Sequence, residues 1–366
     1  MRAPLDATRR RSWPVQSFDA LTRVDAASAF DALASLKIPA QLEAKEPAEL
    51  RGAGRDDVRL LVTPARGKEM HASFAQLADF LSPSDLVVFN RSSTIPAALT
   101  AQRADRSDVQ LHVSTRLPAD LVVVEPRQAI VAAGERLRLP GGAFAEMLTP
   151  YKGSRRLWIT RLYLSEPFLA YVSRYASPIR YAHSTQTWPL AAYQNVYADE
   201  PGSVEMPSAG RPFTFEQLAD MHERGIDAAF VTLHAGVSSP DHDEPPYEEW
   251  FEVPAETAAA IARARRRGGR IIAIGTTVVR ALESALDTSC RVVAARGWTD
   301  LVITPERGAD TVDALLTGFH DLRSSHVAML GAIGGADRIA RAYRTALDAR
   351  YLWHEFGDSH LILRAS

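Results

Sequence analysis

Residues 271–284, IIAIGTTVVRALES, combine an apolar run with a polar junction that could bind an anion. The run at 271–274 predicts a strand buried on both faces, and the helical spacing of the later valines and leucines predicts a helix directly after it. Gly275 allows close approach of the backbone. Thr276 or Thr277 can cap the helix and leave N–H donors at its positive end, which suits a carboxylate or phosphate oxygen. The same pattern also fits a strand-to-helix connection that needs only a cap.

Two histidines lie at positions where functional residues are common. His234 and Gly236 end the apolar stretch VTLHAG (231–236), and α/β folds place functional residues at strand ends. His320 ends LLTGFH (315–320), after what reads as a helical pattern. Each histidine alone is more simply explained as a hydrogen-bonded core residue. The loop at 200–218, EPGSVEMPSAGRPFTFEQL, is rich in small residues and prolines, which suits a backbone wrapped around a ligand.

The predicted elements that position these residues are of two kinds. From Pro212 onward, helix and strand patterns alternate, which predicts a largely parallel sheet. Between 99 and 162, short β-type runs divided by Pro and Gly predict a small antiparallel sheet or barrel. We therefore expect an α/β fold in which a barrel-like, mostly parallel α/β domain (30–98 and 163–366) carries an inserted antiparallel β domain (99–162). Residues 1–29 read as an N-terminal extension.

Bulk composition restricts the function classes. The chain has 366 residues, 46% of them hydrophobic, and a formal net charge of -2, which is atypical of a dedicated nucleic-acid coat protein. The single cysteine, Cys290, excludes an internal disulfide and a clustered-thiol metal site. No apolar span approaches about 20 residues and no signal-peptide core is evident, so we expect a cytoplasmic protein without membrane contact. No residue cluster has metal-ligand spacing, so no metal is expected.

Eight ordered motifs resemble the S-adenosylmethionine:tRNA ribosyltransferase-isomerases of queuosine biosynthesis. They are RLLV (59–62), SDLVVFN with IPAAL (84–99), YQNVYA (193–198), GSVEMPSAG (202–210), VTLHAG (231–236), IGTTVVRALES (274–284), VDALLTGFH (312–320) and FGDSHLIL (356–363). The resemblance implies transfer and isomerisation of the ribosyl part of S-adenosylmethionine onto a 7-aminomethyl-7-deazaguanine base in the tRNA anticodon, giving epoxyqueuosine, adenine and methionine. S-adenosylmethionine is then the ribosyl-donor substrate and the tRNA anticodon loop the partner. The oligomeric state is left open, with a monomer slightly favoured.

The implied reaction needs a base beside a sulfonium centre, stabilisation of a carbanion and a dry pocket. The catalytic candidates are His234, Glu249 and His320, of which His234 and Glu249 are candidates for proton transfer or its support. Arg280, one turn into the helix, could pair the methionine carboxylate, or Glu283 could simply hold Arg280. The full set of substrate-binding candidates is Ser203, Pro207, Gly210, Gly236, Gly275, Thr276, Thr277, Arg280 and Glu283.

Four signature blocks depart from the family's usual pattern. Gly-Leu-His-Phe becomes Gly210-Arg211-Pro212-Phe213, Met-His-Ser-Glu becomes Pro246-Tyr247-Glu248-Glu249, Asn-Asp-Thr-Arg becomes Asn90-Arg91-Ser92-Ser93, and Thr-Asn-Phe-His becomes Thr317-Gly318-Phe319-His320. Two expected histidines are absent as a result. Two alternatives therefore stay open: a paralogue of the same fold with a different nucleoside acceptor, and a non-catalytic protein that binds S-adenosylmethionine, a nucleoside or RNA.

Overall fold

The structure is a computed structural model that describes residues 37–365 except 53, 182, 185, 239–246 and 323–324. The expected N-terminal extension lies outside the described residues. The strands are β1 (Arg59–Thr63), β2 (Met70–Ser73), β3 (Leu86–Asn90), β4 (Ser92–Thr94), β5 (Ala98–Gln102), β6 (Asp108–Leu117), β7 (Leu121–Arg127), β8 (Arg136–Arg138), β9 (Phe144–Pro150), β10 (Trp158–Tyr163), β11 (Glu200–Ser203), β12 (Asp227–Leu233), β13 (Glu249–Val253), β14 (Ile271–Ile274), β15 (Ala295–Thr299), β16 (Ala314–Gly318) and β17 (Ser359–Leu363). The helices are α1 (Phe168–Tyr175), α2 (Phe215–Glu223), α3 (Ala255–Arg266), α4 (Thr276–Ser284), α5 (Ser325–Gly334) and α6 (Ala336–Asp348). In the described part of the chain, no helix has the length and apolar composition needed to cross a membrane.

The larger sheet has nine strands in the order β15-β13-β12-β3-β14-β16-β17-β1-β2. Its central strands β12, β3, β14 and β16 are mutually parallel. The predicted α/β class is confirmed, but only four of the sheet's eight pairings are parallel, fewer than expected. One reason is that a short loop rather than a helix joins β1 to β2, and such a connection favours antiparallel pairing.

The large sheet is buried on both faces by two hydrophobic clusters. In β1, Leu61 belongs to one cluster, whereas Leu60 and Val62 belong to the other, because successive side chains of a strand point to opposite faces. Residues of α3, α4, α5 and α6 cover the first face. Met221 of α2, Phe213 and the short helical segment Phe74–Phe80 contribute to the second. This burial on both faces explains the unbroken apolar runs of the central strands.

The helical reading of LLTGFH is wrong. Residues Ala314–Gly318 form β16, whose first four side chains are buried. Leu315 packs into the first hydrophobic cluster, while Ala314 and Leu316 pack into the second. An apolar run as short as this is ambiguous in sequence, and here its place between two covered faces decides for a strand.

The smaller module is a closed barrel of antiparallel strands in the order β10-β7-β6-β5-β8-β9. Its strands extend from Ala98 to Tyr163. Most of its inward side chains belong to a third hydrophobic cluster, which α1 joins through Tyr171 and Val172. The division of the chain into domains at 99 and 162 stays a prediction.

Gly275 forms the connection between β14 and α4. It is the N-cap of α4 at φ 94° and ψ 155°, a conformation essentially restricted to glycine. A Cβ atom at this position would lie 3.3 Å from the Cβ of Ala209. The expectation that Thr276 or Thr277 caps the helix is wrong, because both residues lie inside its first turn.

We expect Gly275→Ala to lower the free energy of unfolding by about 1–3 kcal/mol, because alanine must adopt a strained conformation there. Gly297→Ala is the matched control: Gly297 lies in β15, has no positive φ, and a Cβ atom added to it would have no neighbour within 4 Å. Urea unfolding should show the control as stable as the parent or slightly more so. Equal losses of stability in both variants would show that the conformation of Gly275 is not the cause.

Candidate active site

Four neighbouring parallel strands end at one edge of the large sheet, and polar residues lie at the ends of three of them. Asn90 is the last residue of β3, and His234 directly follows β12. Gly275 follows β14, and Thr317 lies next to the end of β16. We call this edge the carboxyl edge. Open α/β sheets commonly bind their ligands at this edge.

The buried amide of Asn90 ties three of these connections together. Its Nδ2 donates to the carbonyl of Leu233 (2.9 Å) and to Oγ1 of Thr277 (3.1 Å). Its Oδ1 accepts from the backbone N–H groups of Leu233 (3.0 Å) and Ser92 (3.1 Å). One side chain thus fixes the end of β12, the start of α4 and the start of β4.

His234 lies in a hydroxyl network at this edge. Its Nδ1 is 2.8 Å from Oγ of Ser92, which is 2.7 Å from Oγ of Ser203. Ser203 Oγ also accepts from the backbone N–H of Ala235 (3.0 Å). Burial, with a smaller contribution from the positive charge of Arg116, lowers the pKa of His234 to about 4. The imidazole is therefore neutral near pH 7 and able to accept a proton.

Close packing orients the His234 ring. The indole of Trp250 lies nearly parallel to it, with ring centroids 5.3 Å apart. A Cβ atom at Gly202 would lie only 2.4 Å from Nδ1 of the same ring. Gly202 is therefore required by the position of the imidazole, which gives a structural reason for the first glycine of GSVEMPSAG.

Glu249 and Arg280 form a second group next to Gly236. The backbone N–H of Gly236 donates to Oε1 of Glu249 at 2.8 Å, and Nη1 of Arg280 pairs with Oε2. Arg280 also donates from Nε to the carbonyl of Leu301 (3.1 Å) and from Nη2 to that of Thr299 (3.2 Å). Each nitrogen of the guanidinium already has a protein partner, so the arrangement fixes the carboxylate of Glu249.

The alternative that Glu283 holds Arg280 is wrong. Glu283 is buried and accepts from Nη1 of Arg307 (2.8 Å) and from the backbone N–H groups of Asp310 (2.6 Å) and Thr311 (2.9 Å). The two side chains are three residues apart on α4 but extend to different loops. Glu283 thus anchors the loop before β16, and its carboxylate is occupied by these bonds.

A pair of partly buried histidines lies next to Thr276. Oγ1 of Thr276 is 3.1 Å from Nδ1 of His326, whose ring centroid is 4.5 Å from that of His320. Nε2 of His320 is 2.8 Å from Oγ1 of Thr317. Burial lowers the pKa of His326 to about 4 and that of His320 well below its usual value. Both rings are therefore neutral near pH 7.

The loop that contains Ser203, Pro207 and Gly210 is packed against the same edge. Of these three residues, Ser203 contacts the His234 network directly. The carbonyl of Pro207 accepts from Nδ2 of Asn195 at 3.0 Å, and a Cβ at Gly210 would lie 1.8 Å from the hydroxyl of Tyr197. Pro207 and Gly210 therefore shape the loop through internal packing, and Ala209 between them meets Gly275.

Sequence reasoning missed several residues of this site. Ser92 and His326 take part in it through contacts far apart in the chain. Ser114 on β6 of the barrel accepts from the N–H of Val237 at 3.2 Å, so the barrel borders the site. A signal was available only for Ser92, which lies in a motif that departs from the family pattern.

A separate hollow of about 570 Å³ lies on the barrel itself, lined by Ala104 and by residues 136–139 and 142–144.

Comparisons with known proteins identify the family. The model of the queuosine biosynthesis protein family matches residues 34–362. The S-adenosylmethionine:tRNA ribosyltransferase-isomerase of Gloeobacter violaceus is 36% identical over 89% of this chain and 94% of its own length, and that of Trichlorobacter lovleyi is 33% identical over 90% and 98%. The crystal structure of an S-adenosylmethionine tRNA ribosyltransferase from Thermotoga maritima superimposes with a TM-score of 0.52 at 28% identity, covering 90% of this chain and all of that one. The chain belongs to the queuosine biosynthesis protein family.

We predict that His234 makes stability depend on pH between about 4 and 6.5. Because the folded-state pKa, about 4, lies below the usual value of 6.5, the unfolded state binds more protons in this window. This contribution to stability is complete above the unfolded pKa and is lost as the pH falls towards 4. Between pH 7 and pH 5, the parent should lose roughly 1–2 kcal/mol more unfolding free energy than His234→Gln.

Urea unfolding at the two pH values measures this difference. His222→Gln, which removes an exposed histidine of α2, is the control and should show the same pH dependence as the parent. A His234→Gln variant as pH-sensitive as the parent would show that the imidazole is not buried in its neutral form.

Proposed function

We propose that this protein transfers the ribosyl part of S-adenosylmethionine to a 7-aminomethyl-7-deazaguanine base in tRNA and isomerises it, giving epoxyqueuosine, adenine and methionine. The observation that carries the proposal is the meeting of three family motifs, around Ser203, His234 and Thr276, at the carboxyl edge. The partners are S-adenosylmethionine and the anticodon loop of tRNA. Action on tRNA also supports a cytoplasmic location.

His234 is the base in this proposal. If its Nδ1–H donates to Ser92, the lone pair of Nε2 is left to accept a proton. The proton leaves the carbon next to the sulfonium, the electron pair stays on that carbon, and the neighbouring positive sulfur stabilises it. An imidazole that is neutral near pH 7 meets the first requirement of this step.

Glu249 and the start of α4 supply the remaining polar groups. The carboxylate of Glu249 pairs with Arg280, and its Oε1 accepts a hydrogen bond from the N–H of Gly236. In this proposal Glu249 supports the proton transfer. The first turn of α4, with Thr276 and Thr277, offers the positive end of a helix to the methionine carboxylate or the ribose. His320 contributes indirectly: its ring stacks on that of His326, which contacts Oγ1 of Thr276.

The second candidate is a family member with a different nucleoside acceptor. The observation that favours it is Arg211, which stands where the family pattern has leucine. Its buried guanidinium donates to both oxygens of Glu49 at 2.9 Å and lies 5.1 Å from the ring of Phe356. An ion pair in place of an apolar side chain changes the packing behind the loop at 202–210.

The deciding assay is release of adenine and methionine from S-adenosylmethionine, followed by chromatography. We expect release with tRNA that carries 7-aminomethyl-7-deazaguanine, and none with the free nucleoside or without acceptor. His234→Gln should lower the rate by about 10²–10⁴, the usual contribution of a positioned base, while binding of S-adenosylmethionine persists. His222→Gln is the control and should turn over like the parent.

Other outcomes of this assay would select the alternatives. Release with the free nucleoside but not with tRNA would favour the different-acceptor paralogue. Binding of S-adenosylmethionine by calorimetry without release under any condition would favour the non-catalytic protein. A fully active His234→Gln variant would overturn the assignment of the base.

Arg280→Lys tests how Arg280 acts. The guanidinium of Arg280 contacts Glu249, Thr299 and Leu301 through three different nitrogens, and a Lys ammonium cannot reproduce this geometry. We therefore expect turnover to fall by at least about tenfold. Glu249→Gln should have a similar effect, and both variants should bind S-adenosylmethionine nearly as tightly as the parent in calorimetry. If Arg280 instead holds the methionine carboxylate, Arg280→Lys alone should weaken binding by roughly 1–3 kcal/mol.

A further inference from the structure

Folding brings two histidines and a glutamate together beside the candidate active site. His183, His354 and Glu355 each offer one potential ligand atom, and these atoms all lie within 4.8 Å of one another. The His183 and His354 ring centroids are 4.2 Å apart, and Nε2 of His183 is 2.9 Å from Oε2 of Glu355. His183 is distant in sequence from the other two, so ligand spacing along the chain could not reveal the group.

Nε2 of His183 and Oε2 of Glu355 face each other at 2.9 Å, but their geometry is not that of a hydrogen bond. Both atoms are buried, and neither has a hydrogen-bonding partner among the described residues. A carboxylate oxygen carries only lone pairs, so a facing imidazole nitrogen must either be protonated or share a cation with it. Unsatisfied buried polar atoms of this kind require such an explanation.

The charges around the group favour a cation. Oε1 of Glu43 lies 4.0 Å from Nε2 of His354, so two carboxylates accompany two imidazoles. The two carboxylates bring two negative charges to the group, which a divalent ion would balance.

We propose that His183, His354 and Glu355 bind a divalent transition-metal ion such as Zn²⁺, with the carboxylate of Glu43 nearby. Two imidazoles and a carboxylate are a common ligand set for zinc. Ligands about 2.1 Å from one ion lie at most about 4.2 Å apart, so the group must close slightly. Rotation of the nearly parallel rings about their soft terminal torsion provides that adjustment.

The backbone at His354 is consistent with a site under local constraint. His354 adopts φ 72°, a left-handed conformation uncommon for a residue with a side chain. Its N–H donates to the carbonyl of Phe319 at 3.1 Å, directly before His320. A metal ion bound here would therefore link the segment around His183 to the connection that carries His320.

Metal binding can be tested on the full chain, independently of any turnover. The protein is freed of metal with a chelator and dialysed, then titrated with Zn²⁺ by calorimetry and with Co²⁺ by visible absorption. We expect one equivalent to bind, with Co²⁺ giving the d–d absorption of a protein-bound ion. Glu355→Gln and His183→Asn should each weaken binding by at least about tenfold. His222→Asn, on the exposed side of α2, is the matched control and should bind like the parent.

Circular dichroism of each variant checks that it is folded, and Glu355→Gln keeps the shape of the side chain. A parent protein that binds no Zn²⁺ or Co²⁺ would overturn the proposal and leave a protonated His183–Glu355 ion pair. Binding that is equal in the parent, Glu355→Gln and His183→Asn would also overturn it, because the ion would then lie elsewhere.

Discussion

The buried amide of Asn90 is the interaction on which the candidate site depends. Asn90 is only 1% exposed, and its two polar atoms bond the end of β12, the start of α4 and the start of β4. An amide can do this because it both donates and accepts, so one side chain satisfies backbone and hydroxyl groups on three elements. Without these bonds, several buried polar groups would lack partners, which costs more than each bond contributes when it is made. The parallel strands bring these elements to one edge, and Asn90 fixes their relative positions.

The same burial that orders the site also determines its protonation. His234, His320 and His326 have lowered pKa values chiefly because they are removed from water. Neutral imidazoles suit a reaction that begins with removal of a proton next to a sulfonium, because each can accept a proton without first losing one. Glu249 remains paired with Arg280, so a carboxylate and a neutral imidazole are present at the same edge. In the proposed function, the site therefore supplies a base and an anionic group without a charged histidine.

Much of the fold is predictable from sequence because its periodicities are local. The apolar run at Ile271–Ile274, the helix after it and the short β runs of the barrel all read correctly. LLTGFH is easily misread because a short buried strand and a buried helical turn have the same apolar pattern. The contacts of Glu283 and the involvement of Ser92, Ser114 and His326 could not be predicted, since each depends on which distant loops fold against the carboxyl edge. His183 and His354 meet for the same reason.

Our central claim is that the ligand binds at the carboxyl edge, where the parallel strands end. A crystal structure of the protein with S-adenosylmethionine tests this claim most directly. We predict electron density for the ligand between His234, Glu249 and the first turn of α4, with the sulfonium facing Nε2 of His234. Density in the hollow on the barrel near Arg136 and Phe144, with the carboxyl edge unoccupied, would contradict it.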